Sequence, residues 1–245
     1  MNLINFNIDN WMALSPGLTN QENWLNWSIN DNQWPDELSV VAVNLIKPMM
    51  RRRMSSLSKL ALQSALQISK QERIDYIVFS SRHGELTRTV KLIEDIMKGE
   101  DASPLAFSQS VHNTAAGLFT ISSHRATPVT SLAAVESTLH HALIESAIYL
   151  QEYPSHRVLV VDFDEPLPQP YTKYEGQSDD HKPYQGYAFA ALLSAGQQFQ
   201  LSWDKSTAAL LSPFPQTLSI IDFLIQEKQR VVISDARFFW SWERI

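Results

Sequence analysis

The sequence predicts an α/β layered architecture built on a mixed sheet. Strand-length apolar runs, such as Tyr76-Ile77-Val78-Phe79 and Val158-Leu159-Val160-Val161, alternate with segments whose apolar residues recur at helical spacing. A hydrophobic content of 44% against 19% charged residues, spread over 245 residues, supplies a sizeable core and argues against disorder.

Taken in order, residues 1–38 are rich in Asn and Trp (Trp11, Trp24, Trp27, Trp34) and read as an irregular, aromatic-anchored lead-in, followed by a short strand at 39–43. Residues 50–68 space Leu57, Leu60, Leu62, Leu66 and Ile68 for one amphipathic helix, and 75–80 form a strand. Helical spacing returns over 87–98 through Val90, Ile93 and Met97, with Gly99 as the stop. Ser103-Pro104 opens a loop, 107–121 reads as a helix, 129–134 as a strand and 135–150 as a long helix ended by Pro154. The run 158–161 is a strand of the kind buried on both faces. Pro166, Pro168, Pro170 and Pro183 make 165–185 an extended loop. Residues 187–194 and 198–203 are expected to form a strand pair, followed by a helix at 218–229 and a strand at 230–234.

Composition excludes several classes of function. A net charge of −6 and a pI near 5.6 leave no broad basic surface for nucleic acid, and Arg51-Arg52-Arg53 reads as a solvated helix face. The chain holds no cysteine, which removes disulfides, thiolate catalysis and cysteine metal sites. The N-terminal residues carry no basic stretch followed by an apolar run, and no apolar run is long enough to span a bilayer, so a cytoplasmic, soluble protein is expected. The seven glycines are not spaced for a dinucleotide fingerprint or a P-loop, and no Ser stands in a G-x-S-x-G elbow. No cofactor or metal is expected. His140 and His141, adjacent on a helix, suit surface or interface positions better than a metal site with Glu145. Asp162, Asp164 and Glu165 follow a strand, where solvated strand-end acids are commoner than metal ligands. A Ser-His-Asp constellation assembled in space stays open.

One series of motifs points further. Ser103-Pro104, Phe107, Val111-His112-Asn113 and Gly117 are followed by Thr127-Pro128 and then by the small-residue run Ala133-Ala134-Val135-Glu136-Ser137. In this order and spacing the stretch resembles the nucleophile half of the β-ketoacyl synthases. Arg51-Arg52-Arg53-Met54-Ser55 resembles that family's early basic helix, and Ser80-Ser81-Arg82-His83-Gly84-Glu85 its following strand end. The likeness covers about residues 40–200 and is narrower still to short ketosynthase-like proteins related to chain length factors, as in aryl polyene pathways.

The resemblance implies a thiolase-like (ketosynthase) fold of the N-terminal half, with a mixed, five-stranded type of sheet between helices and a truncated C-terminal half. Residues 1–245 are then one domain in which a divergent tail, 201–245, completes the fold. It implies a catalytic cysteine eight residues beyond the proline, where this chain has Glu136. The catalytic histidines of the second half are not among these residues. A carboxylate cannot form the stable thioester that a low-pKa thiolate at a helix N-terminus provides. The implied function is a non-catalytic, chain-length-factor-like subunit that pairs with a full-length catalytic ketosynthase and meets acyl carrier protein through that complex. The implied partner interface comprises Phe107, His112, Asn113, Phe119, Val129, Ser131, Leu132, Ala133 and Glu136, with Glu136 either at the interface or simply a helix-start residue favoured by the dipole. Two other readings stand beside it: a malonyl decarboxylase-type relative, and an unrelated α/β hydrolase or transferase using Ser137 or a histidine.

Overall fold

The computed structural model describes residues 2–174, 183–206 and 214–245. In chain order its elements are β1 (Asn2–Leu14), α1 (Gln21–Ile29), α2 (Pro48–Arg51), α3 (Ser56–Ile68), β2 (Tyr76–Ser80), α4 (Leu86–Met97), α5 (Pro104–Ser108) and α6 (Thr114–Ser123). They continue with β3 (Val129–Leu132), α7 (Thr138–Glu152), β4 (Arg157–Asp164), β5 (Tyr187–Lys205), α8 (Gln216–Ile225), β6 (Arg230–Ser234) and β7 (Phe238–Arg244).

One mixed sheet organises these elements. β2 pairs in parallel with both β3 and β4, and β4 pairs antiparallel with the first half of β5. β7 pairs with the second half of β5 and with β6, while β1 runs antiparallel along the opposite edge of β5. The mixed sheet agrees with expectation. It has seven strands among the described residues, because the C-terminal region adds β6 and β7 to a five-stranded set. Apolar residues on its two faces form two cores. Trp24 and Trp27 of α1, Leu139 and Leu143 of α7 and Leu218, Ile221 and Phe223 of α8 fill one. Leu57, Ala61 and Leu62 of α3 with Ala115, Ala116 and Phe119 of α6 fill the other. β4 and the first half of β5 lie between helices on both sides, which explains their uninterrupted buried runs.

Several sequence expectations need correction. The lead-in is not irregular: β1 and α1 occupy it, and 39–43 is not a strand. Ile4, Phe6 and Ile8 alternate inward along β1, but the Asn residues between them, poor strand formers, mask the period. The helix expected over 50–68 is two, because Ser55 caps α3 by accepting the Ser58 N–H at 2.9 Å. The helix expected over 107–121 is also two. Ser103 caps α5 with Pro104 in its first turn, and the chain leaves helical geometry before α6 starts after Asn113.

The expected strand pair 187–194 and 198–203 is a single 19-residue strand. It passes an irregularity where the Asn7 side chain accepts the Gln198 N–H at 3.0 Å and donates to the Ala195 carbonyl at 3.4 Å. A side chain thus bridges the discontinuity and no turn forms. Of the expected loop 165–185, the described part holds one tight helical turn, Tyr171–Tyr174, and residues 175–182 lie outside the described residues.

Candidate functional site

The C-terminal ends of β2, β3 and β4 converge, and ligands of open α/β sheets gather outside such ends. β2 delivers the turn Ser81-Arg82-His83-Gly84, β3 delivers Ala133 to Ser137, and β4 delivers Asp162, Asp164 and Glu165.

Asp164 builds the first turn. Its buried carboxylate accepts the Ser81 hydroxyl at 2.9 Å, the Arg82 N–H at 2.8 Å and the His83 N–H at 3.2 Å. The Gly84 N–H returns to Ser81 Oγ at 2.7 Å. Gly84 has φ +56°, and a Cβ there would stand 3.1 Å from the His112 ring. The glycine is thus required twice. His112 closes the turn, its Nε2 donating to the Ser81 carbonyl at 2.8 Å. Asp162, two residues earlier on the same strand face, accepts the Ser80 hydroxyl at 2.5 Å and the Thr217 hydroxyl at 2.6 Å. Burial raises Asp162 to about 6, and burial with the nearby Asp162 charge raises Asp164 to about 7, in spite of these donors. These acids are neither solvated strand ends nor metal ligands, since their oxygens are occupied by hydroxyls and the backbone. Among the described residues no group of three or more His, Cys, Asp or Glu could hold a metal ion.

The locked turn projects Arg82 across the site. Its Nη2 donates to Glu136 Oε1 at 3.0 Å, with both side chains 35% exposed. Glu136 is therefore not a merely solvated helix-start residue; its carboxylate is neutralised within the chain. His83, beside this pair, is lowered to about 4 by burial and by the Arg82 charge, so its imidazole is neutral at ordinary pH.

The chain reverses sharply at Val135, where a β-branched residue adopts φ +56°. Ser137, fully buried, donates its hydroxyl to Asp235 Oδ2 and accepts the Trp240 indole N–H at 3.0 Å. Asp235 also accepts the Gln216 amide at 3.0 Å and the backbone N–H groups of Arg237 and Phe238 at 2.7 and 2.8 Å. Gln216 Oε1 in turn faces His140 Nδ1 at 2.6 Å, and Trp242 Nε1 donates to His140 Nε2 at 3.0 Å. An indole N–H can only donate, so Nε2 is bare and the proton sits on Nδ1. His140 is thus fully buried, which corrects its surface assignment. Its base is spent on Trp242, and Ser137 has a carboxylate in place of an imidazole as acceptor. A hydrolytic Ser–His pair is absent from this arrangement.

The expected interface residues divide. Val129, Ala133 and Phe107 are exposed, Phe107 to 62%, and Asn113 stands exposed before α6. Ser131 and Leu132 are half-buried on β3, whose only partner among the described residues is β2. His112 is committed to the Ser81 turn. Phe119 is a correction: it is 0% exposed and packs at 5.7 Å from the Phe79 ring, inside the second core. Its place on α6 told of an apolar face but not which way that face turns. Arg51 ends α2 and Arg52 and Arg53 follow it exposed, a solvated surface as expected; Arg51 and Arg52 line an open groove of about 420 Å³ with Lys59, Val43 and Pro48. The contacts of Asp235, Gln216, Trp240 and Trp242 with Ser137 and His140 escaped sequence reasoning, since no local pattern ties them to residues 76 to 103 positions earlier.

Comparison with known proteins agrees with this geometry. Residues 24–243 match the sequence model of the β-ketoacyl synthase N-terminal domain. A solved ketosynthase (ApeO) in complex with its chain length factor (ApeC), from Xenorhabdus doucetiae, matches at 28% identity and a TM-score of 0.87, over 98% of this chain and 100% of the matched one. The ishigamide ketosynthase/chain length factor matches at 12% identity and a TM-score of 0.74, over 99% of each chain. A type II acyl carrier protein–ketosynthase complex (AntDE:AntF) matches at 10% identity and a TM-score of 0.65, again over 99% of each chain. The latter two establish the fold alone. Comparison with curated proteins gives no match. No helix among the described residues is long and apolar enough to cross a membrane. With a thiolase-like mixed sheet, a sharp turn after β3 and a family match over most of its length, this chain belongs to the β-ketoacyl synthase N-terminal domain family.

Proposed function

We propose that this chain is the non-catalytic, chain-length-factor-like subunit of a heterodimer with a full-length catalytic β-ketoacyl synthase. What supports the reading is the pairing of Glu136, which the resemblance puts where the family has its nucleophilic cysteine, with Arg82. An ion-paired carboxylate neither attacks a thioester nor holds an acyl group in stable form. The partner supplies the nucleophile and catalytic histidines, and this chain helps to shape the tunnel that receives the growing acyl chain. Acyl carrier protein is met through the complex, and the product class is of the aryl polyene type. In the same reading residues 1–245 act as one unit, with 201–245 completing its sheet.

β3 supports the pairing. It is an edge strand with exposed Val129, and no charged residue occurs from 126 to 135. Natural edge strands left in water are usually guarded by charge, so an unguarded apolar edge fits one that a partner covers.

Co-expression with a full-length catalytic ketosynthase, followed by native mass spectrometry, tests the reading. A one-to-one heterodimer is expected, and Val129→Asp or Leu132→Asp should abolish both it and product formation. A monodisperse homodimer that ignores the ketosynthase, with full product formed without this chain, would overturn it.

A further inference from the structure

Asp162 and Asp164 are both buried on one face of β4, yet their partners differ in kind. Among the described residues the Asp162 carboxylate is met by hydroxyls alone: Ser80 Oγ at 2.5 Å, Thr217 Oγ1 at 2.6 Å and the Tyr187 phenol at 3.5 Å. The Asp164 carboxylate is met by the backbone N–H groups of Arg82 and His83 and by the Ser81 hydroxyl, which already accepts the Gly84 N–H.

A hydroxyl can turn round and accept, whereas a backbone N–H only donates. A proton on Asp162 is therefore received by Ser80 or Thr217 without loss of a hydrogen bond. A proton on Asp164 weakens an oxygen that backbone N–H groups need and finds no free acceptor, so it loosens the turn that carries Arg82 to Glu136. Burial pushes both acids up, and the charge of Asp162 pushes Asp164 up further. That second push vanishes once Asp162 is neutral. The other titratable groups around the pair leave this balance in place. Tyr187 is pushed well above the ordinary phenol range, His83 is neutral, Arg82 is paired with Glu136, and His112 faces the Ser81 carbonyl. Glu165 is itself raised by burial, with the charge of Glu85 adding to the effect.

We propose that the two acids hold one proton between them, that it resides on Asp162, and that Asp164 thereby stays ionised to anchor the turn bearing Arg82. Asp164 is then a positioning residue for the Arg82–Glu136 pair, and Asp162 is the neutral acid that lets it keep its charge. This device lies within the chain and does not depend on the heterodimer reading.

Asparagine resembles a neutral carboxylic acid, with one accepting and one donating end, and not a carboxylate. At pH 6 the full chain carrying Asp162→Asn is expected to unfold within about 1 °C of wild type, and Asp164→Asn about 5 °C lower. Carboxyl carbon NMR on aspartate-labelled chain at the same pH gives a readout that a merely structural role would not move. One buried carboxyl should resonate as a neutral acid and be missing from Asp162→Asn, while a carboxylate signal should be missing from Asp164→Asn. With the proton on Asp164 the two variants exchange places in both measurements, which overturns the proposal. Two ionised carboxyls in the wild-type spectrum, or equal losses of stability in the two variants, overturn it as well.

Discussion

Ser137, in the turn that follows β3, donates its hydroxyl to Asp235, which lies between β6 and β7 and is separated from it by 98 positions. This contact joins the turn bearing Val135 and Glu136 to the C-terminal hairpin. Asp235 sits below the ordinary carboxylate range. Burial pushes it up, but the Ser137 hydroxyl, the backbone N–H groups of Arg237 and Phe238 and the Gln216 amide together outweigh burial.

Asp235→Ala should therefore destabilise the fold by about 3 kcal/mol, since it leaves the Ser137 hydroxyl, the Gln216 amide and two backbone N–H groups without their acceptor. Urea unfolding followed by tryptophan fluorescence measures this, Trp240 being a member of the network. Asp235→Asn retains one carbonyl acceptor and should cost roughly half as much. An alanine variant within about 0.5 kcal/mol of wild type would deny the contact any part in stability.

His140 should make the protein acid-sensitive. Burial lowers it to about 3, against the favourable Gln216 bond and Asp235 charge. Its folded pKa lies below the unfolded value near 6.5, so the unfolded chain binds the proton first as pH falls. The stability it contributes is complete above pH 6.5 and is lost as pH falls toward 3. In unfolding midpoints taken from pH 7 to pH 4, wild type should decline more steeply than His140→Gln. Equal slopes would contradict a buried neutral imidazole.

Asp162 and Asp164 act with the opposite sign. Both are raised, so the folded state binds protons more readily than the unfolded chain between about pH 4 and 7, and stability falls as pH rises across that window. Asp162→Asn removes one of two neighbouring buried carboxylates while its hydroxyl partners can reorient. At pH 8 it should stabilise by at least about 1 kcal/mol, since it removes one buried carboxylate and the like charge beside Asp164. Chemical denaturation at pH 8 and pH 5 checks this, with the advantage shrinking at the lower pH.

Gly196 tests the register of the longest strand. A Cβ there would stand 2.1 Å from Asn7 Oδ1, within the side chain that bridges the β1–β5 irregularity. Gly196→Ala should cost about 2 kcal/mol by displacing Asn7 from its backbone partners. Combining it with Asn7→Ala should cost less than the sum of the single changes, a coupling that a double-mutant cycle reads directly.

Glu136→Cys should not create a condensing enzyme. Incubated with an acylated carrier protein, the purified variant should show no condensation product with malonyl units, because the catalytic histidines belong to the partner in the proposed complex. Glu136→Gln, at a half-exposed ion pair, should change stability by no more than about 1 kcal/mol. Wild-type chain that gains an acyl adduct in intact-mass measurement would contradict the non-catalytic reading.

Legibility followed the range of the interactions. Within ten or fifteen residues, apolar spacing marked α7, β2 and β4, because each buries a stripe or face that its own spacing displays; α4 also forms where expected, but of the expected stripe only Val90 is buried, while Ile93 and Met97 are exposed. The count from Pro128 to Glu136 found the turn after β3, since a strand and its sharp reversal are also local. Other features had no local signature. β1 is stabilised by pairing with β5 almost along its whole length, which overrides the poor strand propensity of its asparagines. β5 runs through where a turn was expected, because Asn7 satisfies the backbone at the irregularity. The Arg82–Glu136 pair, the Asp164-bound turn and the Ser137–Asp235 contact join residues 54, 82 and 98 positions apart. Sequence alone thus determined most of the segments that form strands and helices and that an acid, Glu136, follows the small-residue run at the end of β3. Tertiary structure decided what that acid pairs with and which side chain is left strained at the surface, since both depend on groups that only the folded sheet brings within hydrogen-bonding distance.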